Sequence, residues 1–423
     1  MSDPIASVLA WEALDSRGRP TVGCAVRLRS GIEAEAVVPA GASTGRHEAR
    51  ELRDGGERYG GRGVRQAVRN VVETLGPALT GRDPREVEAN DALLRELDGT
   101  PSLERLGANA VLAVSIAALR AGAAAERAPL HAFLPLAGEP RLPLPMVNVV
   151  SGGAHAGGLV DIQDVLVIPL GAGSFAEAIE WASRVRAAAA AIAEERGLSS
   201  TLIADEGGLA FPLESSRAAV ELVAAAIDRT KLDARIAVDV AASGLVADGG
   251  YRLDGATRSA EEVVDELASW LRDLPVVSLE DPLGEDDWDG WASASAALSG
   301  IQLLGDDLLV TSVERLERAA AAHVANAVLV KPNQVGTVSD ARRVVERAHE
   351  LGYASVVSAR SGDTEDAWLA DLAVAWRAGQ IKVGSTMRSE RTAKWNRLLR
   401  LEAELGLPFA GRAGLAQAGR TGK

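Results

Sequence analysis

Short apolar runs rich in β-branched residues recur after residue 145, each ending in a polar cluster and followed by a stretch with helical periodicity. The runs lie at residues 146–150, 165–169, 236–240, 276–279, 301–304, 327–330, 355–357 and 381–383. Strands that alternate with helices predict a parallel sheet with right-handed crossovers, and this number of strands fits a closed barrel. An open doubly wound sheet also fits the pattern, although no Gly-x-Gly-x-x-Gly follows the first strand.

The first third of the chain has a different pattern. Residues 5–39 form short strand-like runs separated by turn residues, which predicts a small antiparallel sheet. From 63 to 125 the periodicity becomes helical. The apolar face predicted there carries Val64, Val68, Val71, Val72 and Leu75. Five prolines between 129 and 145 indicate a linker, so we expect an α+β domain at 1–135 and a barrel domain at 140–423.

Composition supports a two-domain globular protein and argues against several classes of partner. The chain has 423 residues, 47% of them hydrophobic, and a formal charge of −14. This length exceeds the usual size of a single core. The acidic balance, without a basic stripe, argues against binding to nucleic acid or to anionic membranes. Cys24 is the only cysteine, so no intrachain disulfide can form and an oxidising compartment has no support.

Two further patterns bear on location. The first nine residues lack a basic region followed by an apolar core and a cleavage site, so they do not resemble a secretory signal. The alanine-rich runs are short and flanked by charges, so we expect no segment that spans a bilayer. The sequence therefore predicts a cytoplasmic protein.

The chemistry is concentrated where the predicted barrel strands end. Asp239, Glu280 and Asp306 follow three successive strands, and Lys331 and Lys382 end two later ones. Barrel enzymes place reactive groups at these ends because the strand termini and their loops converge on one face. Carboxylates gathered there repel each other and require a compensating cation. Because the ligands are oxygens and no Cys/His spacing is present, Mg²⁺ is the preferred ion.

The two lysines suggest a reaction class. A single acid is most often a solvated surface group, and a buried lysine is either a structural ion pair or a functional amine. Close to a metal and to a second lysine, the pKa of such an amine should fall, so that Lys331 or Lys382 could act as a base. Proton abstraction next to a carboxylate, with metal charge stabilising the enolate, would suit this set. A general acid would be needed opposite, and Glu206 on a glycine-bounded loop is a candidate, although a solvated turn has the same pattern.

Nine segments together carry a specific resemblance that covers nearly the whole chain. They are DSRGRPTV at 15–22, GASTG at 41–45, LGANA at 106–110, SGGAHAGG at 151–158, DEGG at 205–208, SLEDP at 278–282, KPNQVGT at 331–337, RSGDTED at 360–366 and GQIK at 379–382. In these segments the chain resembles the enolase family of 2-phosphoglycerate dehydratases. The resemblance implies an N-terminal α+β domain, a barrel whose first units are irregular, and a homodimer acting on a small phosphorylated carboxylate.

The resemblance also implies metal-binding and catalytic roles. Asp239, Glu280 and Asp306 are similar to the ligands of the tighter Mg²⁺, with Glu280 also close to substrate. Ser43, on the loop between Gly41 and Gly45, is similar to a ligand of a second ion that arrives with substrate. Lys331 is similar to the base at C2, and Glu206 to the acid that assists loss of the 3-hydroxyl.

The remaining implied roles concern substrate binding. Lys382 is similar to the lysine that binds the substrate carboxylate, and His155 to a loop histidine that closes on the substrate. Arg360 and Ser361 are similar to the phosphate contacts, and a guanidinium suits bidentate phosphate binding.

Two positions at the implied site depart from the family. Asp164 stands where the family has glutamate, which shortens a carboxylate that would help to hold a water or hydroxyl, and Ala359 replaces a histidine. Pro332 and the stretch 385–388 differ more mildly. These departures leave open an enolase paralogue that acts on a related phospho or phosphono substrate, of the carboxyphosphonoenolpyruvate synthase type. A catalytically silent, enolase-like binding protein is a third hypothesis.

Overall fold

The computed structural model describes residues 3–41 and 45–416. The chain begins with an antiparallel sheet of β1 (Ile5–Leu14), β2 (Pro20–Leu28) and β3 (Glu33–Val37), in that spatial order. Cys24 lies fully buried in the middle strand. Turn residues at 15–19 and 29–32 reverse the chain between the strands, so the predicted sheet is confirmed.

Helices pack on this sheet. They are α1 (Arg65–Asn70), α2 (Gly76–Leu79), α3 (Val87–Asp98), α4 (Ala108–Ala125) and α5 (Leu130–Phe133). A π-helical turn at Val71–Leu75 separates the first two. Because a π turn rotates less per residue than an α turn, it shifts the apolar face. Val71 and Leu75 are therefore buried, whereas Val72 is 45% exposed and was wrongly predicted to face the core.

Helix α4 is a longer apolar segment than the sequence analysis predicted. Its 18 residues are apolar enough to cross a membrane by length and composition, contrary to what the sequence analysis anticipated. In the fold, however, 83% of that window is buried inside the protein, against β2 and β3 on one side and the barrel on the other. The helix is hydrophobic all round because it is the central core helix of the N-terminal domain.

A closed barrel follows, so an open sheet is excluded. Its strands are β4 (Leu144–Ser151), β5 (Asp164–Ile168), β6 (Arg235–Asp239), β10 (Val276–Glu280), β11 (Gln302–Gly305), β12 (Ala327–Val330), β13 (Ala354–Ser358) and β14 (Gln380–Lys382). A small sheet of β7 (Val246–Ala247), β8 (Gly250–Leu253) and β9 (Ala256–Arg258) lies between β6 and β10. All eight predicted barrel strands are present.

One expectation about strand direction was wrong. Strand β5 runs antiparallel to both β4 and β6, whereas the other neighbours in the barrel are parallel. Parallel neighbours need a crossover, usually a helix, but only residues 152–163 connect β4 to β5. Two helices then connect β5 to β6. The irregular first units implied by the family resemblance are therefore present.

The barrel helices are α6 (Phe175–Glu195), α7 (Ser216–Thr230), α8 (Ala260–Asp273), α9 (Trp288–Ala297), α10 (Val313–Ala321), α11 (Val338–Leu351), α12 (Trp368–Ala375) and α13 (Ser389–Leu405). Side chains cap several of them at the N-terminus. Ser259 and Glu262 form a reciprocal capping box at α8, and Thr337 caps α11. These caps fix where each helix begins, and so the length of the loop that precedes it.

The barrel interior contains a buried apolar cluster and, beside it, a buried chain of polar side chains. Leu144, Leu166 and Leu329 belong to a buried apolar cluster inside the barrel. Ser278, Gln302 and Gln380 form a buried hydrogen-bonded chain beside it, with contacts of 3.0 and 2.6 Å. The ionisable residues that end the strands therefore gather at one mouth, which the N-terminal domain reaches through the bridge between Ala40 and Gly362.

Candidate active site

Lysines and carboxylates from five strand ends meet in one buried cluster. Lys382, the last residue of β14, places Nζ 2.7 Å from Asp239 Oδ2 and 2.7 and 2.8 Å from the two oxygens of Glu280. Lys331, just after β12, donates to Asp306 Oδ2. Asp239, Glu280 and Asp306 are all at most 7% exposed. The convergence of strand termini that the sequence predicted thus brings all five side chains together.

The pKa of Lys331 differs from the expectation. Burial lowers the pKa of this amine, and Arg360 and Lys382 lower it further, but the adjacent Asp306 carboxylate outweighs them and the net pKa is raised. Lys382 is likewise raised well above its ordinary pKa by Asp239 and Glu280 in spite of burial. The protein's own charges therefore hold both lysines protonated.

The cavity contains more carboxylates than cations. Burial, reinforced by neighbouring acids, raises the pKa of Glu280 and Asp281 well above the ordinary value and that of Asp307 to about 7. Carboxylate oxygens of Asp281, Asp306 and Asp307 lie within 4.8 Å of one another. A donor set made of oxygens, with negative charge that the lysines do not fully balance, fits a hard divalent cation. The described residues can therefore hold such an ion.

A second group faces this cluster from the β4–β5 connection. His155 Nδ1 lies 2.8 Å from Asp164 Oδ2, and its Nε2 lies 3.9 Å from Glu206 Oε1. Burial lowers the pKa of His155, but Asp164 and Glu206 outweigh it and raise the pKa to about 9. Burial raises the pKa of Asp164, whereas for Glu206 the nearby cations outweigh burial and lower the pKa. The two acids beside His155 therefore favour its protonated form.

The shorter carboxylate of Asp164 has a full set of donors. Ser151 Oγ donates to Oδ1 at 2.6 Å and Asn148 Nδ2 at 3.0 Å, while His155 occupies Oδ2. Asn148 Nδ2 also lies 3.2 Å from Glu206 Oε2, so it links the two acids. Asp164 is completely buried. The aspartate that replaces the family's glutamate is thus held by hydrogen bonds to both of its oxygens.

Arg360 forms the third side of the cavity. Its Nη1 and Nη2 donate to the two oxygens of Glu48 at 2.8 and 3.2 Å, and Nη1 also donates to Asn333 Oδ1 at 3.1 Å. Ser361 follows it and accepts from Arg17 at 3.5 Å. Ala359 lines the same cavity, so the position where the enolase family has a histidine is part of the site.

The structure brings together all the predicted site residues that it describes, while Ser43 lies outside the described residues. Sequence reasoning missed four neighbours of the site: Glu48, Asn148, Gln334 and Asp307. Asp307 was visible as the second acid of a pair after β11. The side chains of the other three are ordinary polar groups near recognised motifs, and only their distances in the fold identify them.

The fold and the site define a barrel enzyme with an acidic cluster that can hold a metal ion. Lys331, Arg360 and Glu206 line the same cavity. Two family models match the chain: "Enolase, N-terminal domain" over residues 5–134 and "Enolase, C-terminal TIM barrel domain" over residues 139–417. Enolase of Acidothermus cellulolyticus (strain ATCC 43068 / DSM 8971 / 11B) is 48% identical over 406 residues, which cover 95% of this chain and 94% of that protein. The chain therefore belongs to the enolase family.

Proposed function

We propose that the protein is a Mg²⁺-dependent enolase, a lyase that interconverts 2-phosphoglycerate and phosphoenolpyruvate. The observation that carries the proposal is the lysine pair, with Lys331 on Asp306 and Lys382 on Asp239 and Glu280, in the cavity that also contains Glu206 and Arg360. The family match supports the same reaction.

Each side chain has a task in this reaction. Lys382 binds the substrate carboxylate, Arg360 and Ser361 bind the phosphate, and Lys331 removes the proton from C2. Glu206 then gives a proton to the departing 3-hydroxyl, which leaves as water, and Asp164 holds His155 3.9 Å from Glu206.

Asp239, Glu280 and Asp306 would hold the principal Mg²⁺, and Ser43 would contact a second one. Mg²⁺ bound there would draw the Asp306 charge away from Lys331 and stabilise the negative charge of the enolate. The lowered amine pKa expected from the sequence would then depend on the ion, since the protein's own charges raise it.

The direct test is an assay of the purified protein with 2-phosphoglycerate. We expect dehydration to require MgCl₂ and to stop when EDTA removes the ion, because the acids of the cavity are not balanced by its lysines alone. Recovery on adding MgCl₂ back controls for unfolding. Absence of turnover at any Mg²⁺ concentration would contradict the proposal. Absence of Mg²⁺-dependent binding of 2-phosphoglycerate as well would favour a silent binding protein.

A second candidate is a paralogue that acts on a related phospho or phosphono substrate. It is favoured by Ala359, a small side chain in the wall of the cavity beside Arg360, because a methyl group leaves more room there than an imidazole. A panel of phosphorylated and phosphono carboxylates, assayed with Mg²⁺, would separate the two candidates by their ratios of kcat/KM.

The two positions that differ from the enolase family, Asp164 and Ala359, can be tested together. We expect Asp164→Glu combined with Ala359→His to raise kcat/KM for 2-phosphoglycerate by about tenfold or more, because an added imidazole and a longer carboxylate supply contacts to hydroxyl and phosphate. Each single variant serves as a control for crowding, since Asp164 is completely buried. If the double variant folds and gains nothing, a retuned substrate is favoured.

The remaining proposals concern context. We propose that the domains divide between residues 135 and 140, and that the enzyme is a cytoplasmic homodimer without nucleic-acid or membrane partners. The side chains of Leu9 and Leu14 on the outer strand β1 are 62% and 57% exposed, which supports self-association through that strand. Light scattering of the purified chain measures this directly.

A further inference from the structure

Glu48 is a buried acid to which neither the motifs nor the proposed reaction gives a task. It lies three residues after Gly45, the second glycine of the loop that follows β3. Its side chain is only 4% exposed. Glu48 Oε1 accepts the backbone N–H of Gly45 at 2.9 Å, and the backbone N–H of Ala49 donates to Gln334 O of the barrel at 2.8 Å. Glu48 therefore lies where the chain that follows Gly45 is hydrogen-bonded to the barrel.

The same carboxylate forms a bidentate pair with Arg360. Both partners are 4% exposed, and the two N···O distances are 2.8 and 3.2 Å. A buried ion pair contributes little net stability, because the cost of desolvating both ions offsets their attraction. What the pair does supply is orientation, since a bidentate contact fixes the plane of a guanidinium. Glu48 thus determines how Arg360 faces the cavity.

A third contact extends from Glu48 towards the catalytic lysine. Gln334 Nε2 lies 3.4 Å from Glu48 Oε1 and donates to Asp306 Oδ1 at 2.9 Å. Thr311 Oγ1 donates to Gln334 Oε1 at 2.6 Å, which fixes which end of the amide faces the acids. The other oxygen of Asp306 accepts from Lys331. One carboxylate of the N-terminal domain is therefore connected to the loop, to Arg360 and, through Gln334, to Asp306.

We propose that Glu48 is a positioning residue that shares the guanidinium of Arg360 with the substrate phosphate and so couples phosphate binding to the backbone of the loop at Gly45. The inference rests on the proposed function, because it takes Arg360 as the phosphate ligand. Glu48 competes electrostatically with an anion at Arg360 while holding the arginine and the backbone N–H of Gly45 in the arrangement that turnover requires. Its removal should therefore affect binding and turnover in opposite directions.

The test uses Glu48→Gln, with inorganic phosphate as a competitive inhibitor that reports on the Arg360 site. We expect the inhibition constant of phosphate to fall by about threefold or more, because a negative charge in contact with the arginine is lost. We expect kcat for 2-phosphoglycerate to fall by about tenfold or more, because orientation is lost. A merely structural role would weaken phosphate binding and turnover together. Glu48→Asp, which keeps the charge, should leave the inhibition constant of phosphate near that of the unmodified enzyme.

Glu51→Gln is the matched control. Glu51 lies on the same segment and carries the same charge, which also acts on Arg360, but its carboxylate pairs with Arg53 and not with Arg360. We expect it to change neither constant by as much as Glu48→Gln does. A double-mutant cycle with Arg360→Lys should show strongly non-additive effects on kcat if Glu48 acts through Arg360. Additive effects, or a rise in the phosphate inhibition constant of Glu48→Gln, would overturn the inference.

The two proposals fail in different ways. If the unmodified protein does not turn over 2-phosphoglycerate, the proposed function fails whatever Glu48 does. In that case calorimetric titration with inorganic phosphate still compares the unmodified protein with Glu48→Gln. Equal or weaker phosphate binding by the variant would overturn the role of Glu48, and tighter binding would support it independently of the reaction.

Discussion

Lys331→Ala is expected to lower kcat for 2-phosphoglycerate by about 10³–10⁴-fold, near the upper end of what one general base contributes. Exchange of the C2 proton with solvent should be lost to the same degree. The structure gives the reason: Lys331 contacts a single carboxylate, that of Asp306, whereas Lys382 is engaged by two. The described residues that line this cavity include no third lysine that could replace Lys331. Exchange in deuterium oxide, followed by proton NMR, measures the step separately from loss of the hydroxyl.

A matched control is Lys231→Ala, which removes an exposed lysine at the end of α7, away from the cavity. It should leave both exchange and turnover unchanged. Persistent C2 exchange in Lys331→Ala, with turnover lost, would remove Lys331 from the role of base and assign it to a later step. Loss of exchange with retained Mg²⁺-dependent substrate binding would support the proposed role.

The sequence predicts the barrel strands and the charged residues at their ends, because both follow from short patterns of neighbouring residues. An apolar run that ends in a charged residue is sufficient to place Asp239 or Lys382 at a strand end, and closure of the barrel then brings the strand ends together. The reversed direction of β5 could not be obtained from periodicity, because a buried run has the same composition in either direction. It depends on the short connection that contains His155.

The parts of the site that the sequence did not reveal are contacts between distant segments. Glu48 and Arg360 are 312 residues apart, and nothing in the pattern around either residue points to the other. The pKa of Lys331 is a similar case, since burial and a neighbouring lysine both predict a fall and only the position of Asp306 reverses the sign. Helical periodicity alone also misplaced Val72. A single π turn moves this valine from the predicted core to the surface.

Lys382→Met is expected to lower the free energy of unfolding by about 3–5 kcal/mol in the absence of Mg²⁺, because it leaves two buried carboxylates without their partner. Methionine retains most of the volume, so the change isolates the charge. The pKa of Glu280 is already raised well above its ordinary value by burial and by Asp239, and loss of the ammonium removes an influence that lowers it. The native variant then binds more protons than the unfolded chain, so the stability of the variant should decrease as pH rises above the ordinary glutamate range.

Mg²⁺ should separate the stability effect of Lys382 from its catalytic effect. If Asp239 and Glu280 bind the ion, then Mg²⁺ at about 100 times its dissociation constant should raise the free energy of unfolding of the variant by about 2.7 kcal/mol, and that of the unmodified protein by less, because there the Lys382 ammonium competes for the same carboxylates. Turnover of 2-phosphoglycerate should stay about a hundredfold or more below that of the unmodified enzyme, because the contact to the substrate carboxylate is not replaced. Urea unfolding with and without MgCl₂ measures the first effect, and steady-state kinetics measures the second.

Lys394→Met is the control variant for Mg²⁺ binding by Asp239 and Glu280. Lys394 is also buried, and its Nζ lies 2.6 Å from Asp363 Oδ1 and 2.8 Å from Glu390 O, outside the acidic cluster. Its loss should destabilise the fold to a similar degree. Because the proposed metal site is intact in Lys394→Met, MgCl₂ should stabilise this variant and the unmodified protein equally and leave the difference between them unchanged, whereas it should narrow the difference for Lys382→Met. If MgCl₂ does not narrow the difference in stability between Lys382→Met and the unmodified protein, then Asp239 and Glu280 do not bind the ion, and the acids at 281, 306 and 307 become the better candidates because their oxygens already lie within 4.8 Å of one another.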